Sequence, residues 1–290
     1  MILAFSLFSG CDNDEPIPSY IHIPRIDVTT DLLTQGSNAH EIVDAWVYIN
    51  NQLVGAFELP ATIPILTSGK QKLTIIGGIK KNGFVTQRIA YPFFKPFEVE
   101  REFIPSQVDT IFPVMSYNDN TKFPWLENFE DQTISMTKSG SNTTYDSMVI
   151  TGLESDVYDY DGIDNKFSGK VAIPQGLQIF ENSTVGRYDL PRSGQEIYLE
   201  INFKCNTEFV VGIYPINGSV IQGVPILNLR STLDESTGNL KWKKTYISLK
   251  EDVNVAENIG ADFKIFFNAQ TNTTTGTPLI YFDNIKLVHF

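Results

Sequence analysis

The chain has 290 residues, of which 42% are hydrophobic and 12% aromatic, and its formal net charge is -12 at pH 7. This length predicts two domains, and the hydrophobic content is sufficient for a core in each of them. The negative charge argues against nucleic acid and anionic membrane surfaces as partners, because both would repel the protein.

The first residues have the order of an export signal. An apolar run over residues 2–8 is followed by Ser9, Gly10 and Cys11, the form of a signal peptide (residues 1–10) that ends in a lipobox. Cys11 is therefore the predicted lipidation site, and acyl chains would anchor the protein without a spanning helix. No basic residue precedes Cys11, so we expect the true start codon to lie upstream. The alternative is a buried N-terminal strand with an incidental cysteine.

An acidic run comes directly after the cysteine and consists of Asp12, Asn13, Asp14 and Glu15. It resembles the export signal of surface lipoproteins in Bacteroidota. The resemblance implies a lipid-anchored protein on the outer membrane that faces the cell exterior. Residues 11–18 are predicted to form a tether, since acids and prolines favour an extended spacer.

Alternating apolar residues begin near residue 20 and predict a β-sandwich over residues 19–117. Asn50 and Asn51 lie between two predicted strands, at a position where a hairpin turn requires left-handed backbone. The spacing is that of an Ig-like sandwich, with strands predicted over residues 42–50, 53–59, 65–79 (as two short strands), 85–94 and 97–103.

The turn residues of this domain follow a characteristic order: Asn50, Gly55, Pro60, Pro64, Gly69, Lys70 and Leu73. Residues 44–77 thereby resemble the PEGA and carboxypeptidase-regulatory-like β-sandwich modules. The resemblance implies a spacer or interaction module and transfers no active site.

Residues 104–123 lose the alternation and are rich in proline and polar residues, so residues 118–124 are the predicted linker. The tripeptides at 109–111 and 146–148 resemble the Asp-Ser/Thr-apolar sites at which exported Bacteroidota proteins are O-glycosylated. The resemblance implies modification of Thr110 and Ser147, although chance explains either tripeptide about as well.

The remainder, residues 125–290, contains only short segments rich in β-branched and aromatic residues, at the size of a jelly roll. Its opening Asn-Phe-Glu (128–130) and closing Tyr-Phe-Asp-Asn-Ile-Lys-Leu (281–287) resemble carbohydrate-binding, galactose-binding-like jelly rolls. The resemblance implies glycan binding and a structural calcium ion. Glu130 and Asp283 would then be ligands, because Ca²⁺ prefers carboxylate oxygens. Otherwise Asp283 caps a turn and Glu130 is solvated.

Four aromatic residues are the candidate sugar contacts: Trp125, Tyr158, Tyr160 and Trp242. Two of them alternate with acids in residues 156–164, and exposed rings beside carboxylates suit a sugar, which stacks on the ring and donates hydroxyl protons to the acids. Tyrosine in a β-protein also serves as a packing residue. The acidic spacing does not meet that of an EF-hand.

Catalysis has little support in the sequence. The three histidines are far apart, no nucleophile elbow occurs, and no organic cofactor motif is present. Cys205 lies in an apolar, alternating stretch and is predicted to be a small core residue.

Three hypotheses follow. The first is a non-catalytic, glycan-binding surface lipoprotein whose partner is a polysaccharide. The second is a structural accessory subunit whose partner is an outer-membrane barrel or transporter. The third, a glycoside hydrolase, would rest on analogy of fold alone.

Overall fold

The computed structural model describes residues 17–159, 165–220 and 222–290, apart from the side chains of residues 219 and 220. This part of the chain is almost entirely β-structure, which confirms the all-β prediction. Its helices are the short α1 (Leu32–Gln35) and α2 (Lys250–Val253), with a 3-10 turn at Ala256–Asn258. None of the helices in these ranges is long and apolar enough to cross a membrane. Cys11, the acidic run 12–15 and Tyr160 lie outside the described residues.

The first sandwich is built from three sheets. One sheet has the order β5-β1-β9, a second pairs β10 with β2, and the third has the order β4-β3-β6-β7 with β8 also on β6. The strands are β1 (Ser19–Ile23), β2 (Asp27–Val28), β3 (Asp44–Ile49), β4 (Gln52–Glu58), β5 (Ala61–Ile65), β6 (Gly69–Lys80), β7 (Arg88–Ala90), β8 (Phe97–Phe103), β9 (Val108–Thr110) and β10 (Val114–Met115).

The hairpin between β3 and β4 confirms the predicted turn. Asn50 and Asn51 have φ angles of 49° and 64°, the left-handed backbone that asparagine tolerates. The two short strands predicted over residues 65–79 are a single long strand, β6, preceded by the end of β5. Between residues 85 and 94 only β7 forms, because Pro92 has no N–H to donate to a ladder.

The second sandwich consists of two sheets, which we name by what lies on their outward faces. The covered sheet has the order β13-β14-β24-β16-β22 with β11 on β24, and the open sheet has the order β12-β15-β23-β17-β18 with β19 on β17. A separate hairpin pairs β20 with β21. The strands are β11 (Lys122–Glu127), β12 (Met136–Lys138), β13 (Val149–Thr151), β14 (Ser168–Ala172), β15 (Gly176–Thr184), β16 (Ile197–Cys205), β17 (Phe209–Asn217), β18 (Ser219–Val220), β19 (Val224–Leu229), β20 (Leu233–Asp234), β21 (Asn239–Leu240), β22 (Lys243–Ser248), β23 (Asp262–Thr273) and β24 (Leu279–His289). The predicted linker 118–124 overlaps the start of β11.

The first sandwich packs against the outward face of the covered sheet. Along β16, Leu199 and Ile201 point into the core between the two sheets, whereas Tyr198 belongs to the core of the first sandwich. Every residue of β16 is buried, since both of its faces are covered. The two sandwiches therefore share an extensive interface.

A buried carboxylate lies in this interface. Glu200 is fully buried and accepts hydrogen bonds from the hydroxyls of Tyr91 and Tyr117, each at 2.7 Å. Lys244 Nζ lies 2.7 Å from Glu200 Oε2. Burial alone would raise the pKa of Glu200, but the charges of Lys244 and Lys286 hold it below its ordinary value. Burial lowers the pKa of Lys286 to about 7. Polar and charged groups therefore join the two sandwiches at this point.

Candidate functional site

The three predicted aromatic residues that the structure describes, Trp125, Tyr158 and Trp242, do not form one exposed face. Trp125 is 4% exposed and packs in the core of the second sandwich, where its indole N–H donates to Ser135 Oγ at 2.8 Å. Its neighbour across the ladder, Leu287, faces the same core. A ring this deeply buried has no face open to a sugar.

Tyr158 and Trp242 do come together, but they pack on each other. Their ring centroids lie 5.2 Å apart, edge to face, and the Trp242 indole N–H donates to the carbonyl of Val157 at 3.2 Å. Tyr158 is 7% exposed. The Lys204 ammonium lies 4.9 Å from the Trp242 ring centroid and covers it. Tyr158 is therefore a packing residue, whereas Trp242 is half-buried and lines a second cavity of about 740 Å³, so its contact with a sugar stays a prediction.

Glu130 and Asp283 are close enough that the charge of Glu130 contributes to raising the pKa of Asp283. The larger cause is burial, and together they raise that pKa to about 7. Glu130 accepts from the backbone N–H groups of Lys166 and Phe167, both at 2.8 Å. The structure thus brings the two predicted calcium ligands to one place.

Other oxygens surround this place. The Asn165 amide nitrogen lies 2.9 Å from Asp283 Oδ2, 2.9 Å from the carbonyl of Tyr158 and 3.5 Å from that of Phe167. Ser168 Oγ also donates to Asp283. The Asn165 amide nitrogen fills the position that these oxygens face and donates to them, so a Ca²⁺ ion bound by the same oxygens would have to displace it. The described residues hold no cluster of three or more His, Cys, Asp or Glu that would bind a metal, so carbonyl ligands would be needed.

The structure also gives the exposure of three other residues that the sequence singles out. Thr110 and Ser147 are exposed, which leaves their O-glycosylation a prediction. Cys205 lies in the core as predicted, and burial raises the pKa of its thiol to about 11.

The outward face of the open sheet carries a cleft that sequence reasoning missed. It has a volume of about 740 Å³ and lies over β15, β23 and β17. Lys264, Phe266 and Asn268 point outward because the alternate residues of β23, such as Phe267, fill the core. The first sandwich packs on the opposite sheet, so it does not occupy this face.

One tyrosine of the cleft, Tyr214, packs on a buried phenylalanine of the same sheet face. Tyr214 and Phe266 lie with their ring centroids 4.8 Å apart and their planes at 44°. Gly212 is opposite Phe266 in the ladder, and a Cβ there would lie 2.2 Å from the ring. Glycine at this position therefore lets the Phe266 ring lie flat across the sheet.

A buried carboxylate fixes this tyrosine in place. Glu181 Oε1 accepts from Tyr214 Oη at 2.5 Å and from Ser139 Oγ at 2.9 Å, and its Oε2 accepts from Asn268 Nδ2 at 3.0 Å. Burial, together with the hydrogen bond to and charge of Glu181, raises the pKa of Tyr214. The tyrosine is thus held neutral, in one orientation, with the 139–143 loop beside it.

The walls supply groups that can bind a ligand. Gln222 and Gln270 are exposed, line the cleft and make no side-chain hydrogen bond within the described residues. Lys138, Arg187 and Lys264 also line it. Amides beside an aromatic ring can bond the hydroxyls of a sugar whose apolar face lies on that ring.

Comparisons with known proteins return similar structures but no sequence match. No family model matches the chain, and no curated protein sequence matches it significantly. A structure described as carbohydrate-binding modules of the β-sandwich superfamily is 16% identical over 84% of each chain, with a TM-score of 0.36. The family 11 carbohydrate-binding module of Clostridium thermocellum, in complex with a mixed-linked tetrasaccharide, is 11% identical over 56% of this chain and 93% of its own, with a TM-score of 0.34.

The enzymatically active domain of a bacteriophage CBA120 tailspike protein is also similar. It is 10% identical over 63% of this chain and 26% of its own, with a TM-score of 0.39. At these identities and TM-scores, no residue role or activity is transferred to the present chain.

Proposed function

We propose that this protein is a non-catalytic surface lipoprotein that binds glycan in the open-sheet cleft. The observation that carries the proposal is the cleft itself, with the Tyr214 ring, which packs on the buried Phe266, and the exposed amides of its walls. Aromatic rings that are already held in place lose little conformational entropy on binding, and amides form hydrogen bonds with hydroxyl groups at specific positions. Glu181 is the single carboxylate among the described lining residues, whereas glycoside hydrolysis uses a pair.

Retention on polysaccharide tests this function. We expect the full-length protein in mild detergent to be retarded by at least one polysaccharide in affinity gel electrophoresis. Removing the ring in Tyr214→Ala should weaken binding about tenfold, since an aromatic contact contributes about 0.5–1.5 kcal/mol and about 1.4 kcal/mol is a factor of ten. Gln270→Ala should also weaken binding, and because Gln270 is exposed, that variant does not disturb the core.

The matched control is Tyr48→Ala, which removes a half-buried tyrosine from β3 of the first sandwich. It should bind as the wild type does. Equal retention of the wild type and both cleft variants would contradict the placement of the site. Failure of the wild type on every polysaccharide would contradict the function.

Membrane attachment is proposed from the sequence alone, through Cys11 and the run of residues 12–15. We expect the exported protein to incorporate radiolabelled palmitate and to be digested by protease added to intact cells. Cys11→Ala should release it from the membrane, and a variant that stays anchored and labelled would contradict the proposal.

A structural calcium ion is proposed at Glu130 and Asp283. Its support is the set of oxygens around Asn165, including the carbonyls of Tyr158 and Phe167. When bound, the ion would neutralise the two carboxylates and hold the 165–168 segment to β24.

A second candidate function is that of an accessory subunit of an outer-membrane complex. The observation in its favour is β4, an edge strand on which Leu53 and Val54 are 54% and 41% exposed. Exposed apolar edge strands invite pairing with a partner. Co-purification of a barrel or transporter in stoichiometric amount, lost in Leu53→Lys, would favour this function.

A further inference from the structure

Two cations lie side by side at one end of the cleft. Tyr188 and Phe263 form an antiparallel bridge in which each N–H donates to the other's carbonyl, both at 2.9 Å. Because the two segments are antiparallel, Arg187, which precedes Tyr188, is opposite Lys264, which follows Phe263. Both line the cleft, and like charges opposite each other across an antiparallel pair destabilise it.

No carboxylate compensates this pair within the described ranges. Neither Arg187 nor Lys264 forms a salt bridge there, although Asp189 and Asp262 lie on the other side of the Tyr188–Phe263 bridge. Burial and the charge of Arg187 both lower the pKa of Lys264. The site therefore favours an anion that would approach both cations at once.

The carboxylate of the cleft cannot serve as that anion. The oxygens of Glu181 already accept from Ser139, Tyr214 and Asn268. Lys138 adds a third cation to the lining, so this cleft is cationic in a protein whose net charge is -12.

The position of the cations relative to Tyr214 indicates the kind of anion. Lys264 is opposite Tyr214 in the ladder between β23 and β17, and Arg187 is on its other side. A planar guanidinium beside an ammonium suits an oxyanion such as a carboxylate or sulfate. The adjoining tyrosine suits a sugar ring that carries this group.

We propose that the cleft binds an acidic glycan, with a uronate carboxylate or sugar sulfate held between Lys264 and Arg187 and its ring on Tyr214. This inference rests on the proposed glycan-binding function and names the class of glycan. It also explains why the fold retains an unfavourable pair of like charges at the cleft.

Matched pairs of acidic and neutralised glycans test the inference. The full-length protein in mild detergent is titrated with oligogalacturonate, alginate and chondroitin sulfate fragments, and with the same fragments after methyl esterification or desulfation. We expect at least one acidic fragment to bind at least about tenfold more tightly than its neutral counterpart, with affinity falling as salt increases. Carboxylated and sulfated fragments then distinguish the two sources of the oxyanion.

Variants that remove one charge test whether Lys264 and Arg187 cause the preference for acidic fragments. Lys264→Gln and Arg187→Gln should each weaken binding of the acidic fragment about tenfold, because each removes a charge-assisted hydrogen bond. Lys122→Gln, the same change at an exposed residue of the covered sheet, should leave binding unchanged. Unfolding midpoints of both cleft variants at or above that of the wild type would show that the loss is not caused by misfolding.

The remaining outcomes separate the two proposals. If neutral fragments bind as tightly as acidic ones, or if both cleft variants bind normally, the acidic-glycan inference is wrong. If that neutral binding is lost in Tyr214→Ala, the proposed function nevertheless stands. If no fragment binds, both proposals fail. If inorganic sulfate binds but no glycan does, the site is a simple anion site and the inference also fails.

Discussion

The buried carboxyl of Asp283 makes a prediction about the dependence of stability on pH. Its pKa is raised from 3.8 to about 7, and this difference corresponds to about 4 kcal/mol as an upper bound. The folded protein binds this proton more tightly than the unfolded chain does. The contribution to stability is therefore full below about pH 4 and is lost as the pH rises through about 7.

The perturbation is Asp283→Asn, which removes the titration while keeping the shape of the side chain. Urea unfolding in EDTA, followed by tryptophan fluorescence, gives the free energy of unfolding at about pH 5 and about pH 8. The wild type should lose up to about 3 kcal/mol more than the variant over this interval. His40, whose pKa burial and Lys244 lower to about 4, acts in the opposite sense over part of the range, so the difference between the two proteins is the measurement.

Calcium should reverse this loss. A bound cation replaces the proton as the partner of the buried carboxylate, so millimolar Ca²⁺ should stabilise the wild type at about pH 8 and leave Asp283→Asn nearly unchanged. Asp262→Asn, which changes an exposed carboxylate, should behave as the wild type does. The same dependence of the free energy of unfolding on pH in the wild type and Asp283→Asn would contradict the raised pKa of Asp283. The calcium site is refuted if calcium stabilises both equally.

Three further changes test other parts of the structure by urea unfolding. Glu200→Gln should lower the free energy of unfolding by about 3–5 kcal/mol because it leaves buried ammonium groups uncompensated. Its control, Glu196→Gln, changes a half-exposed ion pair and should cost less than about 1 kcal/mol. Equal costs would contradict the burial of the interface charge. Arg187→Gln should raise the free energy of unfolding by up to about 1 kcal/mol by relieving like-charge repulsion, and a marked loss would show a structural role instead. Gly212→Ala should cost about 1–3 kcal/mol because its Cβ meets the Phe266 ring and the backbone carbonyl oxygen of Val224, and a neutral result would show that both can move aside.

Local features of the fold could be predicted from the sequence. The hairpin at Asn50 and Asn51 followed from the preference of asparagine for left-handed backbone, and the structure confirms it. The buried position of Cys205 followed from the alternation along β16. Such predictions succeed because turn chemistry and period-two patterning are local properties of the chain.

The cleft could not be predicted because it depends on pairings between distant segments. Alternation along residues 262–269 indicates that Lys264, Phe266 and Asn268 share a face, but it does not say which sheet face stays open. Arg187 lies outside the strands, and its place beside Lys264 follows from a single bridge. Conversely, Trp125 has the composition of a sugar contact, but its strand turns it into the core.

If the cleft binds a polymer, as we propose, the interface around Glu200 has a mechanical consequence. A force applied at the cleft would pass through the two stacked sheets of the second sandwich to the buried ionic contact of Glu200 with Lys244, and from there to the first sandwich. Tension on the polymer would reach the first sandwich with little extension, and the ionic contact would be the element under shear.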